Sequence, residues 1–513
     1  MNRDVEFLLQ RVGERGLLWV VGIAALISHA FNMFGYPLYL GDEGIYTAQA
    51  WSVLRLGRLA PYTYFYDHAP AGWLLQAAWT LLLPKGFYTF GIAIGSGRVL
   101  MLVLHLVSLV LLFKVTMTLS GSLLASVVAT LTFSLSPLSV YYQRMVLLDN
   151  IMVFWLLLSL YLILHHRSRL LKVLASGATL GVAILTKENA VFFLPVMAYM
   201  LFKSLQEAHL KRFAAWGWAF ATVMVVSVYP LYALLKSELL PAEVSFLVSG
   251  APAEHVSLIG TIGWQMQRSG GSILDPYSQF WSFFWTKWWT KDSIIIVAGT
   301  AGTAVNLAVG YLLRRRSYVV AGLLAVSFAF YLARGSVVLE FYIVPLLPFL
   351  AMNFGLAVGL VAGRLPAVLG MPALGLGAIA LIAVFIYTAR DHYLIDFTQL
   401  QAQQLTWVQE NIPNSSILVM DDDLWVDLHE PDGERPIFPR AHSHWKVAQD
   451  PAVQVQALNN DWRRVDYLIM SNKLLTRFKE ANETLPLEIY ANSRLVAAFA
   501  DGDVQLQIRK VVK

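Results

Sequence analysis

The sequence contains no cysteine and few charged residues. None of its 513 residues is Cys, and Asp, Glu, Lys and Arg together make up 14%. The first absence excludes disulfides, a thiolate nucleophile and any cysteine-based metal site. The second excludes an ordinary soluble chain, where about 25% of residues are charged. The small net charge of +5 is spread over short loops, a pattern that reads as membrane orientation rather than nucleic-acid binding. Tandem repeats and low-complexity tracts are also lacking. What the chain does have is apolar residues, 57% of the total. They recur in runs long enough to cross a bilayer, which takes about 20 residues. This is the pattern of a polytopic α-helical membrane protein. The first run has no clear small-residue cleavage site and many more follow, so it reads as a retained span rather than a signal peptide.

Lys and Arg orient the spans. Arg3, Arg11 and Arg15 place the N-terminus in the cytoplasm, with a first span at roughly 16–36. The next apolar run, 70–84, is short and bracketed by prolines. If it crossed, the basic clusters at 165–172 and 314–316 would fall outside. If it lies in the interface, Lys114, both clusters, the 203–212 stretch and Arg364 all become cytoplasmic. Spans then fall near 98–117, 121–139, 148–165, 170–186, 190–206, 213–236, 293–312, 317–333, 341–362 and 370–389. The expected architecture is therefore about eleven transmembrane helices over 1–390, with large outer loops at 37–97 and 237–291 and the C-terminus outside. Beyond residue 390 the composition turns polar. "SSILVM" (415–420) and "VDYLIMS" (465–471) read as strands, with amphipathic helices near 397–411 and 473–482. A small extracytoplasmic α/β domain at 391–513 is expected to hang outside.

On this topology the outer face collects ionisable residues from five loops. They include Asp42, Glu43, Asp67 and His68 in the first, Arg144 and Asp149 in the second, and Lys187 and Glu188 in the third. A long fourth loop ends in "DPYSQFWSFFWTKWWTKD" (275–292), and the fifth holds Arg334, Glu340 and Tyr342. Each charge has a plain structural reading. Asp149 would cap a helix, Lys187 would snorkel, and the tryptophans would form an interfacial belt. Asp42 and Glu43 fit such a reading least, because adjacent carboxylates repel and need a base's task, a metal or a cationic substrate to justify them. A transporter would concentrate ionisable groups at mid-membrane. Here His105 is the clearest intramembrane exception, and it reads as a packed histidine. A membrane-embedded transferase does need acids and bases gathered on one face. A transporter or flippase of lipid-linked or small polar substrates is the alternative.

The motifs resemble a known family. "GDEGIY" (41–46) resembles the acidic signature of the GT-C superfamily of polyprenyl-phosphate-sugar glycosyltransferases, and more narrowly that of the protein O-mannosyltransferases and the lipid A aminoarabinose transferase. "FYDHAPAGWLLQAAW" (65–79), "GIAIGSGRVLMLVLHL" (91–106), "SPLSVYYQRMVLLDNIMVFWLLLSLYL" (136–162), "GVAILTKENAVFFLPV" (181–196) and "EFYIVPLLPFLAM" (340–352) follow in the family's order. The likeness covers about 40–360. The chain departs from it at His68–Ala69, where the family has Lys-Pro, and at Glu188, where it has Gly.

The resemblance implies an inverting glycosyltransferase of the cell membrane. It would move a sugar from a polyprenyl-phosphate donor to an acceptor hydroxyl on a protein, lipid or cell-envelope glycan at the outer face. Phosphate leaves as a stable anion, so cations rather than a strong acid are needed at the donor. Lys187 comes first for that role, followed by Arg334, His68 and Arg144. Asp42 is the expected base, and Glu43 is expected to orient the acceptor or tune that base through its charge. Asp67, Asp149, Tyr342 and Glu188 are expected in support. The aromatics at 277–289 are expected as a lid over the donor lipid. No cofactor or metal is expected to be required, although carboxylates are compatible with a divalent ion. The run Asp421–Asp422–Asp423 reads as a solvated loop.

Overall fold

The computed structural model describes residues 3–165, 169–204, 208–241, 256–364, 367–431 and 436–513. The basic clusters at 165–172 and 203–212 and the stretch expected as an outer loop at 237–291 therefore lie partly outside the described residues. The chain is mostly helical. Helix α1 (Arg3–Ala30) bends at Gly13. It is followed by α2 (Gly41–Leu56), α3 (Ala71–Leu81) and α4 (Ala93–Ser120). With only eleven residues, α3 has about 16 Å of rise and cannot cross a bilayer.

Five described helical segments are long and apolar enough to span a membrane: Ala93–Ser120, Lys211–Leu235, Gln279–Leu312, Arg316–Ala333 and Glu340–Ala362. A sixth forms if Leu123–Leu135 and Pro137–Gln143, bent by 60°, count as one span. Pro137 is the cause of that bend. It stands at the start of the second piece, where its ring and missing N–H interrupt the ladder. Leu148–Leu164, Leu170–Thr186 and Gly375–Thr388 are apolar but shorter. Helices thus stand where the hydropathy places them, but length and composition do not give a count of eleven.

Tight helix packing runs through small residues. A Cβ at Gly177 would lie 2.3 Å from the Trp218 carbonyl oxygen, and one at Gly355 would lie 2.4 Å from that of Ala125. In a bilayer, where helices gain little from hydrophobic exclusion, such close backbone approach is a main source of association. His105 is buried and stacks on His29 at 3.7 Å, as expected of a packed histidine.

The polar C-terminal part forms a five-stranded sheet of order β2-β1-β3-β5-β4. Its strands are β1 (Leu418–Met420), β2 (Ala441–Ser443), β3 (Tyr467–Ser471), β4 (Ser493–Asp501) and β5 (Val504–Val511). β1 pairs in parallel with both β2 and β3, and β5 runs antiparallel between β3 and β4. The two strands read from the sequence are β1 and β3. The hairpin β4–β5 was missed, although two signals were present. "VQLQIRKV" alternates with period two, and Gly502 supplies the positive φ of a tight turn.

This part does not hang free. Leu418, Met420, Ile469 and Ile508 of the sheet share one apolar core with Ala48 and Trp51 of α2 and Ala93 of α4. Polar contacts cross the same junction. Trp51 Nε1 donates to Glu430 at 2.7 Å, Asp427 accepts the Ala93 N–H at 3.0 Å, and Gln401 exchanges hydrogen bonds with the Tyr39 backbone. Gly44 marks the closest approach, since a Cβ there would lie 2.0 Å from the Asp422 carbonyl oxygen.

Candidate functional site

A cavity of about 1180 Å³ opens between residues 38–68, the 256–279 stretch, the segment around Glu340 and the carboxyl ends of β1 and β3. That volume exceeds the ~300–1,000 Å³ of common small-molecule pockets. Asp42 lies on its wall, in the first turn of α2. Among the described residues its carboxylate has no hydrogen bond or ion pair. Burial raises its pKa above the usual carboxylate value, while Lys187, Arg477 and His68 pull it down. The positive end of the α2 dipole also favours its charged form.

Glu43 is one residue away and turned the opposite way. It is fully buried, and both its oxygens accept from Arg98: Nε to Oε1 at 3.0 Å and Nη2 to Oε2 at 2.8 Å. It also accepts the Leu40 and Val146 N–H groups, at 3.1 and 2.9 Å. Arg98 is itself fully buried, donates to the Met33 and Pro37 carbonyls, and lies over the Tyr39 ring. The expectation that Glu43 orients the acceptor is therefore corrected. Successive helical residues sit about 100° apart, so one carboxylate faces the cavity while its neighbour ties α2 to α4 and the 145–147 turn.

Arg144 is also corrected. It is buried and spends its guanidinium on the Tyr36, His392, Ser28 and Phe31 carbonyls, closing loops rather than offering charge. Arg334 is exposed, stacked on Tyr331 at 3.7 Å and bonded to that residue's carbonyl, outside the cavity lining. Lys187 is 2% exposed. Its ammonium pairs with Asp149 at 2.5 Å and sits 4.4 Å from the centre of the Tyr342 ring, which does line the cavity. Asp149 therefore supports the site as the partner of Lys187. His68 and Asp67 line the cavity. The His68 ring contacts Glu188 at 3.2 Å, and Glu188 also accepts the Ala69 N–H at 2.7 Å. Burial works against the charged imidazole, but Glu188 and Asp67 outweigh it and raise the His68 pKa. This pair stands where the chain departs from the family's Lys-Pro and Gly.

Among the described residues the cations on the cavity wall are His68, Arg268, Lys473 and Arg477. The last three were missed. Arg268 lies in the long 237–291 stretch, and the other two lie on Asn472–Glu480, a helix read only as amphipathic. The available signal was the basic edge of a helix that follows a strand. Asp421, Asp422 and Asp423 also line the cavity and pack under α2, so they are not a solvated loop. Of the aromatics at 277–289, Trp288 is buried and donates to the Glu340 carbonyl at 2.6 Å, whereas Tyr277 and Trp285 are exposed.

The Lys187–Asp149 pair makes a specific prediction. Removing one member of a buried pair typically costs about 3–5 kcal/mol, because a charge is left uncompensated. Lys187→Met is expected to be destabilised by that order, and Lys187→Met with Asp149→Leu to regain most of it. Thermal denaturation of the purified variants in detergent reads the difference. A double variant no more stable than the single would remove the pair as the cause.

Comparison with known proteins adds to this geometry. Residues 67–232 match the family described as dolichyl-phosphate-mannose-protein mannosyltransferase. The apo ArnT of Cupriavidus metallidurans superposes with a TM-score of 0.60 at 14% identity, over 96% of each chain. The same protein bound to undecaprenyl phosphate gives 0.58 at 15%, over 97% of this chain and 98% of the other. The Archaeoglobus fulgidus oligosaccharyltransferase in the apo form gives 0.57 at 12%, over 90% and 70%. No curated protein matches the chain. At these identities the likeness is one of fold alone.

Proposed function

We propose that this chain, with its GT-C fold and its mannosyltransferase-type segment at 67–232, is an inverting glycosyltransferase. It would use a polyprenyl-phosphate sugar and an acceptor hydroxyl on a protein, lipid or cell-envelope glycan. The observation that carries the reading is Asp42. It is an unpaired carboxylate at the N-terminus of α2, on the wall of a cavity whose cations are His68, Arg268, Lys473 and Arg477. A base and a set of phosphate-neutralising cations on the wall of one cavity are what single displacement at an anomeric carbon requires. The bound undecaprenyl phosphate of the similar ArnT structure supports a donor of this class.

In this reading Asp42 takes the acceptor proton and the polyprenyl phosphate departs as an anion. His68, Arg268 and Arg477 neutralise it, while Lys187 adds to the local positive potential from behind Tyr342. Glu43 has no contact with either substrate. No metal is required for the displacement itself. The deciding assay gives purified protein a polyprenyl-phosphate sugar and an acceptor extract and measures free polyprenyl phosphate. Release by the wild type that is lost in Asp42→Asn supports transfer. Substrate movement across liposomes with no release would favour the transporter alternative.

The same proposal carries a topology: eleven spans, N-terminus in the cytoplasm and the 391–513 domain outside. The chain has no native cysteine, so each introduced one reports alone. Cysteines at the exposed positions Arg315 and Ser415 are expected to behave oppositely in intact cells. An impermeant maleimide should label the second and spare the first, and the reverse pattern would sink the arrangement.

A further inference from the structure

Strands β1 and β2 run parallel with Met420 opposite Ser443. The residues that follow each strand therefore emerge side by side at one sheet edge, Asp421 and Asp422 from β1 and His444 from β2. In sheets with parallel strands the carboxyl ends are where ligands bind. Here that edge also faces the cavity, since Asp421 and Asp422 line it.

The three side chains are arranged around a gap. One ligand-type atom from each lies within 4.8 Å of the others. His444 Nδ1 is 3.6 Å from Asp422 Oδ2 and 4.0 Å from Asp421 Oδ1. These separations exceed hydrogen-bond length. They are close to the spacing of two ligands on one ion, which at metal–ligand distances of about 2.1 Å is roughly 3.0–3.5 Å. His444 is 1% exposed, and neither of its ring nitrogens makes a hydrogen bond of good geometry, the Met420 backbone being the polar group that acts on the ring. Asp422 is 4% exposed, and its Oδ2 has none either. Buried polar atoms left unpaired cost free energy unless something fills their coordination.

The neighbours explain why these atoms and no others converge. The Ser443 hydroxyl donates to Asp422 Oδ1, which fixes the carboxylate with Oδ2 towards His444. Asp423, by contrast, is committed to the Gln401 amide and the Leu424 N–H and stands outside the trio.

We propose that Asp421, Asp422 and His444 form a binding site for a divalent transition-metal ion of the zinc or manganese class. Imidazole as a ligand favours these ions over magnesium or calcium, whose sites are built from oxygen alone. Three protein ligands leave coordination open towards the cavity. The site also lies where the sheet meets α2: a Cβ at Gly41 would be 3.1 Å from Asp421 Oδ1. The ion would thus brace the C-terminal part against the helix that carries Asp42. This is separate from the displacement chemistry and stands whether or not the glycosyl-transfer reading does.

The test uses the full chain, stripped with chelator in detergent and titrated with Zn²⁺, Mn²⁺ or Co²⁺ alone. The expected result is about one equivalent of bound ion by elemental analysis after desalting, a raised melting temperature, and a Co²⁺ visible spectrum of low-symmetry coordination. Asp422→Asn and His444→Gln should lose the stoichiometric ion, and Asp423→Asn should keep it. Ser443→Ala removes only the outer hydrogen bond that aims Asp422. It should weaken affinity by about 10–100-fold and provides a mild variant if the ligand variants fold poorly. Wild-type protein that takes up no stoichiometric ion and shows no melting shift would overturn the site. Equal metal retention in all four variants would do the same.

Discussion

Asp42→Asn is expected to lower turnover by about 10²–10⁴-fold, the usual contribution of a positioned base, while binding of the donor persists. The change keeps the side chain's size and leaves the α2 turn intact, because the Asp42 carboxylate forms no hydrogen bond or ion pair among the described residues. Stability should therefore be nearly unchanged, and single-turnover kinetics with enzyme in excess over donor separates the lost chemistry from binding. The pH dependence follows from the raised pKa of this carboxylate. A base works only when deprotonated, so activity should fall as pH drops through a value above the ordinary ~3.9 of Asp. That acid limb should be absent from the residual activity of Asp42→Asn. A variant with near-normal turnover would remove Asp42 from the mechanism.

Arg98→Met is expected to do the opposite, with a large loss of stability. It strands Glu43 in a fully buried setting, where only the Leu40 and Val146 N–H groups would remain to it. The expected cost is about 3–5 kcal/mol. Glu43→Gln should cost less, because an amide oxygen still accepts those N–H groups, although the Arg98 charge loses its counter-ion. The readout is the thermal aggregation midpoint in detergent, with donor affinity measured well below it. If Glu43 served the acceptor directly, Glu43→Gln would instead lose activity at full stability, and the structural assignment would fail. The two adjacent carboxylates are thus separable by experiment: one should lose rate, the other fold.

Much of the helical part was legible because hydropathy reports directly on what lipid demands. The runs near 98–117, 148–165, 170–186 and 317–333 each became a helix over the expected stretch, and 341–362 became a 3₁₀ turn at Glu340–Leu346 leading into a helix at Leu347–Ala362, since unpaired backbone is intolerable in hydrocarbon and a helix satisfies it locally. Asp42 was legible for a related reason, because an acid pair at the end of an apolar run has no cheap explanation. The two strands with compact apolar runs, β1 and β3, were legible as well.

Which way each charge points was not legible. Glu43 pairs with Arg98 across 55 residues, Lys187 with Asp149 across 38, and Arg144 caps a His392 carbonyl 248 residues away. Such partners are chosen by packing, and a linear pattern of charge carries no record of it. The C-terminal part shows the same division. Its polar composition marked it as a separate α/β segment. The shared core with Trp51 and the contact of Gly44 with the Asp422 backbone exist only once the sheet docks on α2. By itself, the sequence determined a helical membrane chain with an adjacent acid pair just beyond its first apolar run. The tertiary structure decided that this acid faces a cavity with Arg268, Arg477 and the Asp421–Asp423 run, because burying the far side of α2 against the sheet leaves Asp42 no other direction to point.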